Sequence, residues 1–232
     1  MFRLKKTNPA LYTHEKQVEH HVTRWNDIRC GFGWTHPSHC LRIMHTRALI
    51  DMLFWKFLRY LGTAKVLDVG CGFGEQCMMI PWRNADILGI DVSPRTIERA
   101  NQLNEDFSGD LFGEHFFHSS PRKKFMVKSW YDIASHGTEL PKYDLVIASE
   151  IIEHVHDPEL FIKFLADSSK KYLLLTTPRY IPHDKTPTHL WTFTEEKLLD
   201  MLEKHWKTEM FHCFDDPTAG MQRFQYYVGV RK

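Results

Sequence analysis

Two groups of residues in this chain have the types and spacing that chemistry needs. The first is VLDVGCGFG, residues 66–74, where an apolar run opens onto glycines at every second position, Gly70, Gly72 and Gly74. Glycine lets the backbone turn tightly and lets a ligand approach main-chain N–H groups closely. A turn of this kind at the carboxyl end of a first strand is where open α/β sheets hold ligands. An acid, Asp68, stands just before the glycines, and a second, Asp91, ends the next apolar run. That position, about twenty residues past the turn, suits a carboxylate accepting hydrogen bonds from ribose hydroxyls. No GKS or GKT follows, so the turn is not a triphosphate cradle. Nicotinamide-binding domains also carry a glycine-rich turn, but Asp68 and Glu75 on either side of this one fit them poorly. The bland reading of Asp91 is a charge at the start of a helix, ahead of Pro94.

The second group is EIIEHVHDP, residues 150–158, at the end of the run YDLVIAS. A helix beginning near Glu150 would bring Glu150, Glu153 and His154 onto one face, because residues three and four apart are neighbours there. His156 would then point elsewhere. Two carboxylates and an imidazole suit Mg2+, Mn2+ or Fe2+ better than zinc, which prefers cysteine and histidine. A fourth ligand is available in the proline-stiffened segment TTPRYIPHDKTPTHLWTF, which carries His183 and His189. Without an ion, His154 reads as a general base and Glu153 as a helix first-turn charge.

The acid and glycines of DVGCGFG, together with the strand-ending GID, resemble the class I S-adenosylmethionine-dependent methyltransferases from Ala64 to the C-terminus. The resemblance implies that Asp68 and the backbone of Gly70, Cys71, Gly72 and Gly74 hold the methionine part of the cofactor, with Glu150 at the same edge. It implies that Asp91 holds the ribose, that Val92 and Ser93 lie beside the adenine, and that Trp130 and Tyr131 wall or cap it. Both aromatics read equally well as core packing. ExxEH followed by THLWTF is similar to the ubiquinone-biosynthesis O-methyltransferases and to the small-RNA 3′-terminal 2′-O-methyltransferases. The latter likeness implies the ligand set Glu150, Glu153, His154 and His189, with Glu153 and His154 at the centre of the reaction.

These residues need a scaffold that delivers strand ends to one edge. From Ala64 the chain alternates apolar runs with helical stretches. The runs are AKVLDVG, ADILGID, KFMVKSW, YDLVIAS, KYLLLTTP, KTEMFHCF and FQYYVGV. The helical stretches are Glu75–Pro81, Pro94–Asp106, Pro158–Ser169 and Thr194–His205, two of them with proline just inside the start. This predicts a doubly wound α/β domain with a seven-stranded, mostly parallel sheet. DDPTAGMQ between the last two runs predicts a hairpin and an antiparallel final strand. Residues 1–60 are expected to form an N-terminal helical cap, from His14–Trp25 and Ser38–Tyr60, belonging to the same domain as residues 61–232. The cap, the insert Leu103–Lys124 and the 178–191 loop carry the aromatics Trp25, Phe32, Trp34, Phe112, Phe116, Phe117 and Trp191. Most of these are expected to pack and some to stack on a planar acceptor.

Composition narrows the function classes. The chain has 232 residues, 43% hydrophobic and 25% charged, which is ordinary for one globular domain. Thirty basic side chains against 29 acidic ones create no whole-protein field toward nucleic acid. The cluster Arg122, Lys123 and Lys124 reads as a solvated loop before a strand. Five cysteines without a CxxC pair suit reduced thiols, and the N-terminus lacks the apolar run of a secretory signal, so a cytoplasmic protein is expected. The greasiest stretch, Ala48–Leu58, is interrupted by Asp51 and Lys56 and reads as a buried helix, not a membrane span. The expected activity is methyl transfer to a small hydroxylated acceptor, catechol- or ribose-like, with a divalent ion. RNA or nucleotide 2′-O-methylation, and a catalytically silent cofactor-binding subunit, are the alternatives. The oligomeric state is not encoded in any of these features.

Overall fold

The computed structural model describes residues 37–78, 80, 85–109, 122–137, 140–179, 189–216 and 222–232. Its seven strands are β1 (Ala64–Val69), β2 (Ala85–Asp91), β3 (Arg122–Val127), β4 (Tyr143–Ser149), β5 (Ser169–Pro178), β6 (Trp206–Asp216) and β7 (Gln222–Arg231). They form one sheet in the order β3-β2-β1-β4-β5-β7-β6. The first five are parallel, and β7 inserts antiparallel between β5 and β6. The hairpin anticipated from the turn residues is therefore present. Strand order reverses between β1 and β4, which makes their carboxyl ends the switch point where such sheets open a crevice.

Among the described residues six α-helices lie on the sheet: α1 (Pro37–Lys56), α2 (Glu75–Met78), α3 (Pro94–Gly109), α4 (Trp130–Ser135), α5 (Pro158–Ser168) and α6 (Glu195–Leu202). Successive residues of β1 and β4 point to opposite faces, and both faces are covered. Leu67, Val69, Val146 and Ala148 pack with α4, α5 and α6. Val66, Leu145 and Ile147 pack on the other face with Ile50 and Leu53 of α1 and Ile97 of α3. That is why these strands read as unbroken apolar runs. Each fully buried Leu, Ile or Phe contributes about 1.5–3 kcal/mol.

Local chemistry sets the boundaries. Asp157 caps α5, its side chain accepting from Leu160 N, with Pro158 in the first turn. Thr194 caps α6 in the same way. The third apolar run extended to Trp130 in sequence, but the strand stops at Val127. Ser129 accepts from Asp132 N and starts α4 there, a helix the strand reading did not anticipate. Nor are Arg122, Lys123 and Lys124 a loop; they open β3. Arg122 forms a bidentate pair with Asp86 at 2.6 and 2.8 Å, and Lys123 Nζ donates to Met78 O. His14–Trp25, His183, the aromatics at 25, 32, 34, 112, 116 and 117, and most of the 103–124 insert lie outside the described residues.

Candidate functional site

At the end of β1 the chain turns through Gly70, Gly72 and Gly74, all with positive φ, at 70°, 55° and 79°. Two of these glycines are also needed for space. A Cβ on Gly70 would stand 2.5 Å from Ile151 Cδ1, and one on Gly74 would stand 2.6 Å from the Phe125 ring. Gly72 differs: the nearest atom to its added Cβ is Glu75 Oε2, 3.8 Å away. The face of Gly72 is thus open, as a backbone that receives a ligand must be. Gly70 N and Cys71 N donate to Ile90 O, tying the turn to β2. Cys71 itself is buried, with its Sγ toward Gly72 O, so it offers backbone and no reactive thiol.

Asp91 braces this turn. Its Oδ2 accepts from Gly72 N at 3.1 Å and its Oδ1 from Ser93 N at 2.9 Å. Burial raises its pKa, and these N–H bonds oppose the rise. Val92 is half-buried. Ser93 is fully buried, and its Oγ accepts from Thr96 N and Thr96 Oγ1, so its side chain caps α3. Asp68 is 2% exposed beneath the glycines and accepts from Cys77 Sγ at 3.2 Å. Burial pushes its pKa to about 7; the Cys77 bond pulls it back while Glu75 and Asp91 add to the rise.

Trp130, a candidate adenine wall in sequence, is placed in the core. Its ring meets Phe161 edge-on at 4.8 Å and lies 6.1 Å from Phe164. Tyr131 is half-buried beside it, at 5.7 Å. Trp130 packs inward from the helix that Ser129 starts.

At the end of β4 the expected helix is replaced by a turn. Glu150 has a left-handed φ of 55°, Glu150 N bonds Thr176 O, and His154 N bonds Ile151 O. Asp157 defers the helix to Pro158. The turn still brings Glu153 and His154 together and adds His189, one ligand atom of each lying within 4.8 Å of the others. Glu150 is not in that group. Thr176 Oγ1 donates to its Oε1 at 3.0 Å, and Arg42 of α1 pairs with its Oε2 at 3.1 Å. Arg42, Thr176 and Thr177 were not picked out in sequence. The adjacent threonines interrupting the apolar run of β5 at its carboxyl end were the available signal; for Arg42 there was none.

Glu153 is 1% exposed. Thr177 donates to its Oε2 at 3.0 Å, whereas its buried Oε1 has no hydrogen-bond partner and faces His154 Nε2 at 3.7 Å. Burial first, and the Glu150 charge second, raise its pKa. The His154 and His189 rings lie edge to face at 4.9 Å. Leu190 N and Trp191 N donate to Glu153 O, and Trp191 Nε1 donates to Val155 O at 2.8 Å. These bonds stitch the return of the post-β5 segment onto the 153–155 turn. Glu153, His154 and His189 therefore fit a divalent cation as one carboxylate and two imidazoles, and the orphaned buried Oε1 is the observation in favour.

A protein-family model described as a methyltransferase domain matches residues 46–205. The ubiquinone biosynthesis O-methyltransferase of Aliivibrio fischeri is 30% identical over 158 residues, which is 67% of this chain and 57% of that protein. The protein of the same description from Pelagibacter ubique is 34% identical over 150 residues, 63% of this chain and 54% of that protein. The chain thus spans little more than half the length of these curated relatives. Among solved structures, magnesium protoporphyrin IX methyltransferase from Synechocystis PCC 6803 with bound SAM superposes with a TM-score of 0.62 and 19% identity, covering 90% of each chain. The N-methyltransferase NodS of Bradyrhizobium japonicum gives a TM-score of 0.61 at 13% identity, covering 81% of this chain and 94% of that one. At these identities the structural likeness is one of fold.

Proposed function

This chain belongs to the methyltransferase-domain family as a class I S-adenosylmethionine-dependent enzyme, and from that premise we propose that it methylates a hydroxyl oxygen of a small catechol- or ribose-like acceptor. The observation that carries the reading is the convergence of Glu153, His154 and His189 at the carboxyl edge of β4, with one buried carboxylate oxygen unbonded. The relatives described as O-methyltransferases support the choice of oxygen.

In this reading the open backbone at Gly72 and the acid Asp68 hold the methionine end of the cofactor. Asp91 exchanges one of its N–H partners for a ribose hydroxyl. Glu153, His154 and His189 hold a divalent cation, and Glu150, already paired with Arg42, stays outside the ligand set. When bound, such an ion lowers the pKa of a coordinated hydroxyl and orients it. His154 supplies the other route, taking the hydroxyl proton on Nε2 while Glu153 Oε1 stabilises the imidazolium. In the transfer the S–CH3 bond breaks and an O–CH3 bond forms in line, so the two edges act mainly by positioning. Three protein ligands leave about three positions open in a six-coordinate ion, enough for a vicinal pair of oxygens and a water.

The test is methyl transfer to catechols, free nucleosides and short RNAs, each with and without EDTA. Methylation of a vicinal diol that EDTA abolishes is expected. Transfer confined to amines or thiols and indifferent to EDTA overturns the reading.

A further inference from the structure

The near-neutral composition hides an asymmetry that strand register brings out. At the amino edge of the sheet, opposite the site above, Lys65 of β1 stands level with the start of β2, at Asp86. In β5, Lys170 and Lys171 precede Tyr172, which pairs with Val230; on β7, Arg231 pairs with Trp206, and Val230 with Lys207 of β6. In sheet order, then, β1, β5, β7 and β6 each carry a cation at this edge, and Lys142 precedes β4 between the first two. With strands about 4.8 Å apart, the row is roughly 20 Å long.

Among the described residues the acids at this edge are already engaged: Asp86 pairs with Arg122, and the Lys65 main-chain N–H donates to Asp144. Asp144 pairs with Lys170 and Glu209 with Lys56. Lys65, Lys142, Lys171 and Lys207 are exposed and have no carboxylate within ion-pair distance among the described residues. Beside the row stand two of the four large apolar side chains exposed among the described residues, Trp55 at 63% and Tyr60 at 73%. Arg59 lies over both rings, at 5.8 and 4.6 Å. The turn that leaves α1 holds them at this edge, because Phe57 stacks on Tyr172, the ring over which Lys171 Nζ sits at 5.2 Å.

We propose that the amino edge of the sheet is a docking track for single-stranded nucleic acid, its phosphates along the lysine row and its bases on Trp55 and Tyr60. Lysines spaced along the edge beside the exposed Trp55 and Tyr60 side chains, on which Arg59 already stacks, match the phosphate repeat and π-faces of a single strand. A membrane surface would call for a broad apolar face, not a line. The track is independent of the proposed small acceptor and lies at the other edge from the reacting groups.

The experiment is fluorescence anisotropy of a labelled oligouridylate, about twelve nucleotides long, within the usual range of such site sizes, titrated with full-length protein across a salt series. Four phosphate contacts give a log–log salt slope of about −3. Combined substitution Lys65→Gln, Lys171→Gln and Lys207→Gln should cut affinity at least tenfold and flatten that slope. Trp55→Ala should cut affinity about tenfold and keep the slope. S-adenosylhomocysteine affinity and the melting temperature, unchanged in all of these, show that the fold and the cofactor edge are intact. Absence of binding by the wild type at low salt overturns the proposal. So does binding untouched by these substitutions, or lysine-dependent binding to phosphatidylserine vesicles or polyglutamate with none to the oligonucleotide. Failure of the small-acceptor reading leaves each of these results unchanged.

Discussion

The two halves of the carboxyl edge are built by different means. Over β1 and β2 the site is made of backbone: three left-handed glycines, N–H groups, and an acid whose two oxygens already accept from Gly72 and Ser93. Over β4 and β5 it is made of side chains from segments far apart in sequence, with a buried carboxylate oxygen unbonded and histidines in ring contact. In the first half both acids are already hydrogen-bonded, while the backbone face of Gly72 stays open. The second is held in an arrangement that leaves a polar atom uncompensated, which costs stability and suggests function. On the proposed function, binding precision belongs to the first and reactivity to the second.

If that division holds, the largest effects on turnover come from the second half. Glu153→Ala or His154→Ala should lower kcat about a hundredfold or more, on the scale of losing a base or metal ligand. Calorimetric affinity for S-adenosylhomocysteine should stay within a few-fold. Loss of both together would break the comparison. Asp91→Ala should do the reverse, weakening S-adenosylhomocysteine at least tenfold, the scale of one or two lost hydrogen bonds.

How far each half could be read in sequence follows from the same difference. Glycines and strand-ending acids lie within one βαβ unit, so their spacing in sequence is their spacing in space. DVGCGFG and GID therefore announced the turn, Asp91 and the parallel sheet together. Glu153 and His154 were legible as neighbours, but the helix assumed to join them to Glu150 was not there, because Glu150 turns left-handed. Its real partners, Arg42 and Thr176, sit 108 and 26 positions away in the sequence. For Trp130 the two readings in sequence were packing and adenine wall, and the cap at Ser129, which starts a helix there, favours packing for a local reason.

The next effect sharpens the comparison through pH. Asp68 has a pKa raised to about 7, so near pH 6 it is largely neutral in the cofactor-free protein. For an acid raised by folding, the stability it contributes is fully present below its unfolded pKa and is lost as pH rises through about 7. Cofactor binding should run the other way, since the ionised carboxylate is the better partner for the cofactor ammonium. Affinity for S-adenosylhomocysteine should rise about tenfold from pH 6 to pH 8. Asp68→Asn should flatten that profile and hold the melting temperature of the free protein steadier across the same range. A profile unchanged by Asp68→Asn would remove Asp68 from the binding half.

The smallest effect is expected at Trp191, which keeps the second half assembled without belonging to it. Its indole N–H donates to Val155 O at 2.8 Å, and its backbone N and that of Leu190 donate to Glu153 O. His189 is two residues upstream, so these bonds set where the His189 ring meets His154. Trp191→Phe keeps an aromatic ring against the core but removes the indole N–H along with part of the bicyclic ring, leaving a carbonyl to find water. The net cost of one such bond is about 1 kcal/mol. If that loosening falls on the alignment of His189 against His154, kcat should drop about threefold to fivefold. The KM for S-adenosylmethionine should not move, because nothing in the β1–β2 half contacts Trp191 through these bonds. Steady-state kinetics with the cofactor varied at saturating acceptor separates the outcomes. A fall in kcat alone makes Trp191 the clamp of the reactive half. A KM that rises as much as kcat falls would mean that the two halves of the edge are mechanically one, and the division drawn between them would be lost.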